Sequence, residues 1–458
     1  MKLRPYQQEV ARAVLDSVQS NSGLTLSVEI ARQGGKNELS AHLEVLLLTL
    51  FMSTGGSLVK CSPTFKPQTV ISIARLKDRL DEFGYDRLYR TEMGYIICLG
   101  TARAVFLSAE EHASVVGHTA DILLEIDESQ DVSKEKYTKE FRPMGSSTNV
   151  TTVHYGTTWD DSTLLEEVKQ LNLEMEKKDG IKRHFRYDWQ EVARHNPDYQ
   201  AYVEGERARL GEDHPLFRTQ YLLLPIKGGG GFLIRQQILS MLGNHPRLNE
   251  PDDAKTYIAG IDLAGEREET REQALTASRQ KLDSTVITIA EIDTIQRPTS
   301  TLAELVIKVV EHYQWTGTPH SQLYPLIVET LRKWQCQKVL VDATGIGQPV
   351  ASFLRKELGS RIIPFTFTQK TKSDMGFELL SLVNSGRLRL YYQDGSNEYR
   401  ELLTQLEKAR SQYRPNQTMN FYVDPQEGHD DFLMSLALVA EAARDFTPRA
   451  AKGGLRDE

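Results

Sequence analysis

Apolar residues along the first half of the chain fall into short β-rich blocks separated by stretches with helical spacing. Leu24–Ile30, Ser57–Cys61, Ala104–Leu107, Ile122–Ile126 and Thr151–Tyr155 read as strands, and Glu38–Met52 and Thr69–Phe83 as helices. Strands alternating with helices predict a parallel sheet covered on both faces. From about Leu164 to Tyr221 the chain turns polar, helix-prone and evenly charged, which predicts a helical subdomain. Pro225–Gly231 contains four consecutive glycines, too costly in backbone entropy for the interior of a helix or strand, so a linker is expected there. A second alternating region follows. Tyr257–Leu263, Thr285–Ile292 and Lys338–Asp342 are expected strands, and Leu302–Tyr313, Pro349–Leu358 and Asp431–Ala443 expected helices. The residues from about Thr447 are polar and read as a loose tail.

These shifts divide the 458 residues into a first domain over 1–225, with the helical subdomain at about 164–221, and a linker over 226–256. A second domain over 257–446 and a tail over 447–458 complete the chain. Fifty-five Lys and Arg against 63 Asp and Glu give a net charge of −8, which excludes a protein that binds nucleic acid over its whole surface but not one with a local basic groove. Cys61, Cys98 and Cys336 are too few and too scattered for a disulfide framework or a thiolate zinc site. With no signal-like N-terminus and no apolar run of bilayer length, the expectation is a soluble chain with no membrane partner.

The segment Ile30-Ala-Arg-Gln-Gly-Gly-Lys-Asn37 lies between an expected strand and an expected helix. Glycines there let backbone N–H groups approach phosphate oxygens, and a lysine at the start of the helix neutralises the β and γ charges. Gln33, Gly34, Gly35, Lys36 and Asn37 are therefore candidate nucleotide contacts, although Asn37 stands where such loops usually carry Ser or Thr. The bland alternative is a glycine turn beside a surface lysine. About 90 residues on, Asp121–Glu128 is an apolar strand ending in two carboxylates. In a nucleotide hydrolase the first, Asp127, holds Mg²⁺ through water, and the second, Glu128, polarises the attacking water. Arg32 in the loop is placed to reach the γ-phosphate. Arg4, Tyr6 and Gln7 precede the first helix, where helicase-like ATPases read adenine. Thr157 and Thr158, in Gly156-Thr-Thr158, end the strand after the acidic pair, where hydroxyls can sense the γ-phosphate.

The second half carries acids where apolar strands and a helix meet turns. Asp262 stands in AGIDLAG, Asp342 in VLVDATGIG, and Asp430 and Asp431 in GHDDFLMSLALV. One Asp at a strand end is usually a turn former. Three such positions in one α/β domain can converge and hold two divalent ions, Mg²⁺ or Mn²⁺, the arrangement that hydrolyses phosphodiesters in ribonuclease-H-like nucleases. Arg355, Lys356, Arg361, Lys370 and Lys372, followed by Arg387, Arg389, Arg400, Lys408, Arg410 and Arg414, form either a solvated face or a track for DNA phosphates.

Taken in order, ARQGGKN, ILLEIDE, GTT, the GGGG junction, GIDLAG, VLVDATG and GHDD resemble the large terminase subunit of tailed bacteriophages. The resemblance spans nearly the whole chain. It implies an α/β architecture, with an N-terminal P-loop (helicase-like) ATPase domain and its helical subdomain linked to a C-terminal ribonuclease-H-like nuclease domain. By the same resemblance Arg32 and Lys36 match the loop arginine and lysine, Asp127 and Glu128 the metal-binding and catalytic acids, and Thr157 and Thr158 the coupling motif. Asp262, Asp342 and Asp431 match the nuclease acids. The implied cofactors are ATP with Mg²⁺ and two Mg²⁺ or Mn²⁺ ions in the nuclease. The implied partners are double-stranded viral DNA, a small terminase subunit and the portal of the procapsid. The resemblance also implies a homo-oligomeric ring there, in the host cytoplasm, from a chain expected to be monomeric in isolation. A helicase or repair ATPase–nuclease would need a second ATPase lobe where the nuclease-like acids stand. A scaffold with decayed sites would not keep Lys36, Glu128 and all the nuclease acids.

Overall fold

The computed structural model describes residues 2–113, 115, 117–226, 230–264, 284–295, 304–345, 347–414 and 416–446. They divide into two compact units. The first comprises residues 1–208, 215–228 and 415–417, and the second residues 209–214, 229–414 and 418–458.

The first unit is built on an eight-stranded sheet. Its strands are β1 (Thr25–Ile30), β2 (Gly56–Ser62), β3 (Tyr89–Glu92), β4 (Ile96–Leu99), β5 (Ala102–Ser108), β6 (Leu123–Ile126), β7 (Thr152–Gly156) and β8 (His184–Tyr187). They lie in the order β3-β4-β5-β2-β6-β7-β1-β8. From β5 to β8 every pairing is parallel, and β3 and β4 add an antiparallel edge. Leu26, Val28, Leu58, Val59, Leu124 and Val153 are buried, as expected of strands covered on both faces. Helices α1 (Pro5–Gln19), α2 (Lys36–Leu50), α3 (Val70–Glu82) and the short α4 (Lys134–Lys136) accompany these strands. After β7 come α5 (Leu164–Asp179), α6 (Trp189–Ala193), α7 (Pro197–Leu210) and α8 (Pro215–Gln220).

The stretch over 164–221 is largely helical, but it is not only an appendage. Between α5 and α6 it sends β8 back into the sheet, paired with β1 from Ser27↔His184 to Ile30↔Tyr187. His-Phe-Arg-Tyr is too short and too polar to announce itself as a strand, and pairing with β1 is what selects it.

The second unit holds a six-stranded mixed sheet in the order β14-β13-β10-β11-β12-β15. A small three-stranded sheet in the order β17-β16-β9 lies beside it in the same unit. Residues 230–256, expected as linker, are folded here. Gly230–Gly231 is β9, paired with Arg410 and Ser411, and α9 (Arg235–Met241) buries Ile238 and Met241. Two glycines without side chains can pair at a sheet edge where the backbone alone does the bonding. The preceding Gly228 and Gly229, and the tail over 447–458, lie outside the described residues.

β10 (Thr256–Asp262) pairs antiparallel with β11 (Ser284–Ile295), and β11 antiparallel with β12 (Glu304–Thr316). The expectation of a helix over 302–313 is corrected for its described part. Val306, Ile307, Val309 and Val310 are β-branched and suit a pleated surface better than a helix. A bulge at Ile289/Ala290 breaks the register, so strict alternation is lost from the sequence. α10 (His320–Trp334) leads to β13 (Lys338–Asp342), which runs parallel to β10, and α11 (Gly347–Leu358) to β14 (Ile362–Phe365). α12 (Gln369–Asn384), β15 (Leu388–Arg389), α13 (Asn397–Lys408), β16 (Arg410–Tyr413), β17 (Met419–Tyr422) and α14 (Asp431–Arg444) complete the unit.

α14 is apolar almost all round, and packs on β10 and β11. It comes so close to β10 that a Cβ at Gly260 would collide with the Ser435 carbonyl oxygen and stand 2.8 Å from Leu438 Cβ. Cys61, Cys98 and Cys336 are buried free thiols, in line with the absence of a disulfide framework.

Candidate functional sites

Neighbouring strands of the first sheet bring three segments to one edge. β1 ends at the loop 31–35, β6 ends at Asp127 and Glu128, and β7 lies between them and ends at Gly156. Their carboxyl ends form the crevice where α/β sheets hold ligands.

The loop is shaped by backbone geometry. Gln33 has φ +62° and Gly35 φ +92°, and Gly35 caps α2 in the left-handed region. Gly34 has no space for a side chain, since a Cβ would stand 2.7 Å from the Ala31 carbonyl oxygen. Tyr6 and Gln7 sit in the first turn of α1 and grip this loop. The Tyr6 hydroxyl donates to the Gly34 carbonyl at 2.6 Å, and Gln7 Nε2 to the Gly35 carbonyl at 2.9 Å. Gln7 Oε1 accepts from the Arg4 backbone N–H at 2.8 Å, and Arg4 donates to the Tyr6 hydroxyl at 3.1 Å. In this arrangement the three side chains hold the loop, and the Gln7 amide is engaged at both ends. Asn37 is half-buried in the first turn of α2.

Lys36, buried at the start of α2, lies 3.4 Å (Nζ) from Glu128 Oε1. Burial alone would raise the Glu128 carboxyl, but Lys36, a hydrogen bond from Gln130 and the Arg32 charge outweigh it and hold it below the usual range. Asp127 is raised instead, by burial first and then by Glu128, with Lys60 opposing. The neighbours therefore differ: the ionised Glu128 is suited to accept a proton from water. Arg32 is exposed, and its guanidinium donates to Gln220 Oε1 at 2.6 Å. Thr157 and Thr158 are buried, and the Thr158 hydroxyl donates to Glu29 Oε1 at 2.5 Å. It ties the segment following β7 to β1.

Beneath this crevice lies a buried polar cluster that motif reading did not find. Lys60 Nζ donates to Ser40 Oγ at 2.7 Å and to Glu44 Oε1 at 3.0 Å, and Ser40 lies 2.9 Å from Glu125 Oε1. It joins α2, β2 and β6. Burial, then the Glu44 charge, pushes Glu125 up to about 8. The only sequence signal was polar residues at core positions of otherwise apolar elements.

In the second unit, β10 and β13 run parallel with Ile261 opposite Val341, which sets Asp262 and Asp342 side by side at their carboxyl ends. Asp431 stands in the first turn of α14, and its Oδ2 accepts from the Ser284 N–H at 3.0 Å. Asp430 is the preceding helix cap. Asp262 is raised well above the usual carboxylate range, first by burial and then by Asp431, Asp342 and Asp430. Asp342 is raised by burial and restrained by its hydrogen bonds with Thr344 and by Lys372. Lys372, in the first turn of α12, is the positive group among these acids. Burial lowers it, while Asp430, Asp262 and Asp342 oppose. The sequence showed Lys372 only as one member of a basic run.

A cleft of about 410 Å³ is lined by Asp262, Tyr422, His429, Asp430 and Asp431. Four mutually repelling carboxylates with one lysine make an oxygen-rich donor set short of positive charge, which suits hard divalent cations. Among the described residues, no three His, Cys, Asp or Glu side chains are already placed around one ion position.

Residues 276–441 match the family model of the terminase RNase H-like domain. Apart from residues 415–417, the matched stretch lies within the second unit. Over the whole chain the fold is that of a large terminase. The large terminase of a thermophilic bacteriophage superposes with a TM-score of 0.55 at 11% identity, covering 96% of this chain and 99% of that one. The same phage protein in complex with ADP gives 0.53 at 12% identity and in complex with ATP-gamma-S 0.52 at 11%, with the same coverage. No curated protein sequence matches. Among the described residues, no helix of this terminase fold is long and apolar enough to cross a membrane.

Proposed function

We propose that the chain is the motor subunit of a viral DNA-packaging machine. ATP hydrolysis in the first domain drives double-stranded DNA into a procapsid. The nuclease in the second domain cuts concatemeric DNA when packaging starts and ends. The observation that carries this reading is the joining of two sites on one chain: Lys36 paired with Glu128 at a sheet edge, and a carboxylate cluster within a terminase RNase H-like domain. The complexes of the thermophilic phage terminase with ADP and ATP-gamma-S support a nucleotide at the first site.

At that site Lys36 meets the β- and γ-phosphates, joined by backbone N–H groups at the start of α2. Asp127 is the residue that would hold Mg²⁺, and Glu128 takes the proton of the attacking water. Arg32 reaches the γ-phosphate once it exchanges Gln220 for it. At the second site Asp262, Asp342 and Asp431, with Asp430 beside them, would hold the divalent ions. Bound there, two such ions supply an activated water and neutralise the leaving oxygen of the phosphodiester. The Ser284 N–H orients the Asp431 carboxylate and the Thr344 N–H that of Asp342. The small terminase subunit, the portal and a homo-oligomeric ring on it, in the host cytoplasm, are the partners and place this reading assigns.

The test is a separation of activities in the full chain. Glu128→Gln should abolish ATP turnover and leave Mn²⁺-dependent plasmid cutting. Asp262→Ala should do the reverse. Loss of both activities in each variant, or of neither, would overturn the two-site reading.

A further inference from the structure

Gln130 stands two residues beyond Glu128 and is 4% exposed. Its side-chain amide is fully committed. Nε2 donates to Glu128 Oε2 at 2.9 Å and to Asp131 Oδ2 at 3.2 Å, and Oε1 accepts from the Thr157 backbone N–H at 3.2 Å. Chemistry fixes the amide's orientation: only the NH₂ end can face two carboxylates, and only the oxygen can face a backbone N–H. Gly156, at the end of β7, makes the fit possible, because a Cβ there would collide with Gln130 Oε1 and stand 2.6 Å from Leu165 Cδ2.

Glu128 needs such support. Its backbone lies at φ +44° and ψ +50°, a region costly for a residue with a side chain. Of its carboxylate oxygens, Oε1 faces Lys36 and Oε2 faces Gln130. When Lys36 turns to a phosphate, Gln130 is the partner that stays.

We propose that Gln130 is a positioning residue for ATP hydrolysis, fixing the Glu128 carboxylate toward the attacking water and tying it to the backbone of Thr157. The inference rests on the reading of Glu128 as the group that activates water. The connection continues beyond Thr157. The Thr158 hydroxyl binds Glu29 on β1, and Glu29 lies 3.7 Å from Lys169 on α5. A shift of the catalytic carboxylate is thereby linked through side chains to the helices that follow the sheet.

The test uses the full chain with Gln130→Leu, Gly156→Ala and the double variant. The readouts are steady-state ATP turnover, binding of a fluorescent ADP analogue, and melting temperature. Gln130→Leu should lower kcat about 10–100-fold, as loss of a partner that orients a reacting group does, with KM and ADP affinity within about twofold. Gly156→Ala should lower kcat similarly by displacing the amide, and the double variant should be no slower than the slower single one. Gln130→Glu, which sets a third carboxylate beside two, should be at least as slow as Gln130→Leu.

Wild-type kcat in Gln130→Leu, a rise in KM alone, or multiplied losses in the double variant would overturn the inference. If Gln130→Leu does not fold, Gln130→Met and Gly156→Ala carry the same comparison. Glu128→Gln separates the two levels. Full turnover in that variant removes the reading of Glu128 itself. An inactive Glu128→Gln beside a fully active Gln130→Leu removes only the role of Gln130.

Discussion

Lys36 Nζ stands 3.4 Å from Glu128 Oε1, so the cation proposed to meet the phosphates and the carboxylate proposed to activate water are each other's partners. Their substitutions should therefore part company. Glu128→Gln keeps Lys36 for the phosphates, and should lower kcat by about 10²–10⁴ while nucleotide still binds. Lys36→Ala removes a phosphate contact and leaves Glu128 without its ion pair, so nucleotide affinity should fall at least about tenfold as well. Titration with a fluorescent ADP analogue beside steady-state turnover distinguishes the two.

Asp262 is raised by burial and by three neighbouring acids, which makes it a source of repulsion. Asp262→Asn should raise the melting temperature measured in chelator, by about 2–4 °C for each kcal/mol of repulsion relieved. It should also reduce the further rise that Mn²⁺ gives the native chain, and abolish plasmid cutting. A melting point lowered in chelator would show that Asp262 serves packing rather than ion binding.

Lys60 is buried among Ser40, Glu44 and Glu125. Lys60→Met fills similar space but strands the Glu44 carboxylate beside the raised Glu125, so it should cost about 3–5 kcal/mol. Chemical denaturation followed by fluorescence measures this. A loss below about 1 kcal/mol would mean that the two acids are already neutral without the lysine.

His154 on β7 is fully buried between Ser129 and Tyr137, and burial lowers it to about 3. The unfolded chain takes up this proton near pH 6.5 and the folded chain only near 3, so below about pH 6.5 the unfolded state binds more protons. The stability from a neutral His154 is complete above that pH and is lost on acidification. Relative to His154→Gln, the native chain should lose about 1.4 kcal/mol of its advantage per pH unit on descending from 6 toward 4. Glu125, raised to about 8, acts in the opposite direction, but it is present in both proteins and cancels in the difference. A gap independent of pH would show that His154 is already protonated.

The parts of the fold legible in the sequence were those decided locally. A glycine loop between an apolar strand and a helix, and carboxylates closing the apolar runs Leu123–Ile126 and Lys338–Val341, announce themselves within a dozen residues. What escaped depends on distant partners. β8 is a strand because β1 offers it an edge, and β12 escaped because a bulge broke its alternation. In the candidate sites, Lys372 and Gln130 belong to no motif. Lys372 faces its acids only when α12 packs beside α14, and Gln130 meets Thr157 only through the glycine at 156.

The late return of β8 to the sheet has a mechanical consequence. Its ladder with β1 runs to Ile30, the residue before the glycine loop. A force on α6, directed along the strand, would load those backbone bonds together in shear rather than unzip them one at a time. The same ladder leads to the loop proposed to hold the phosphates. Strain raised at either end is thus delivered to the other with little slack.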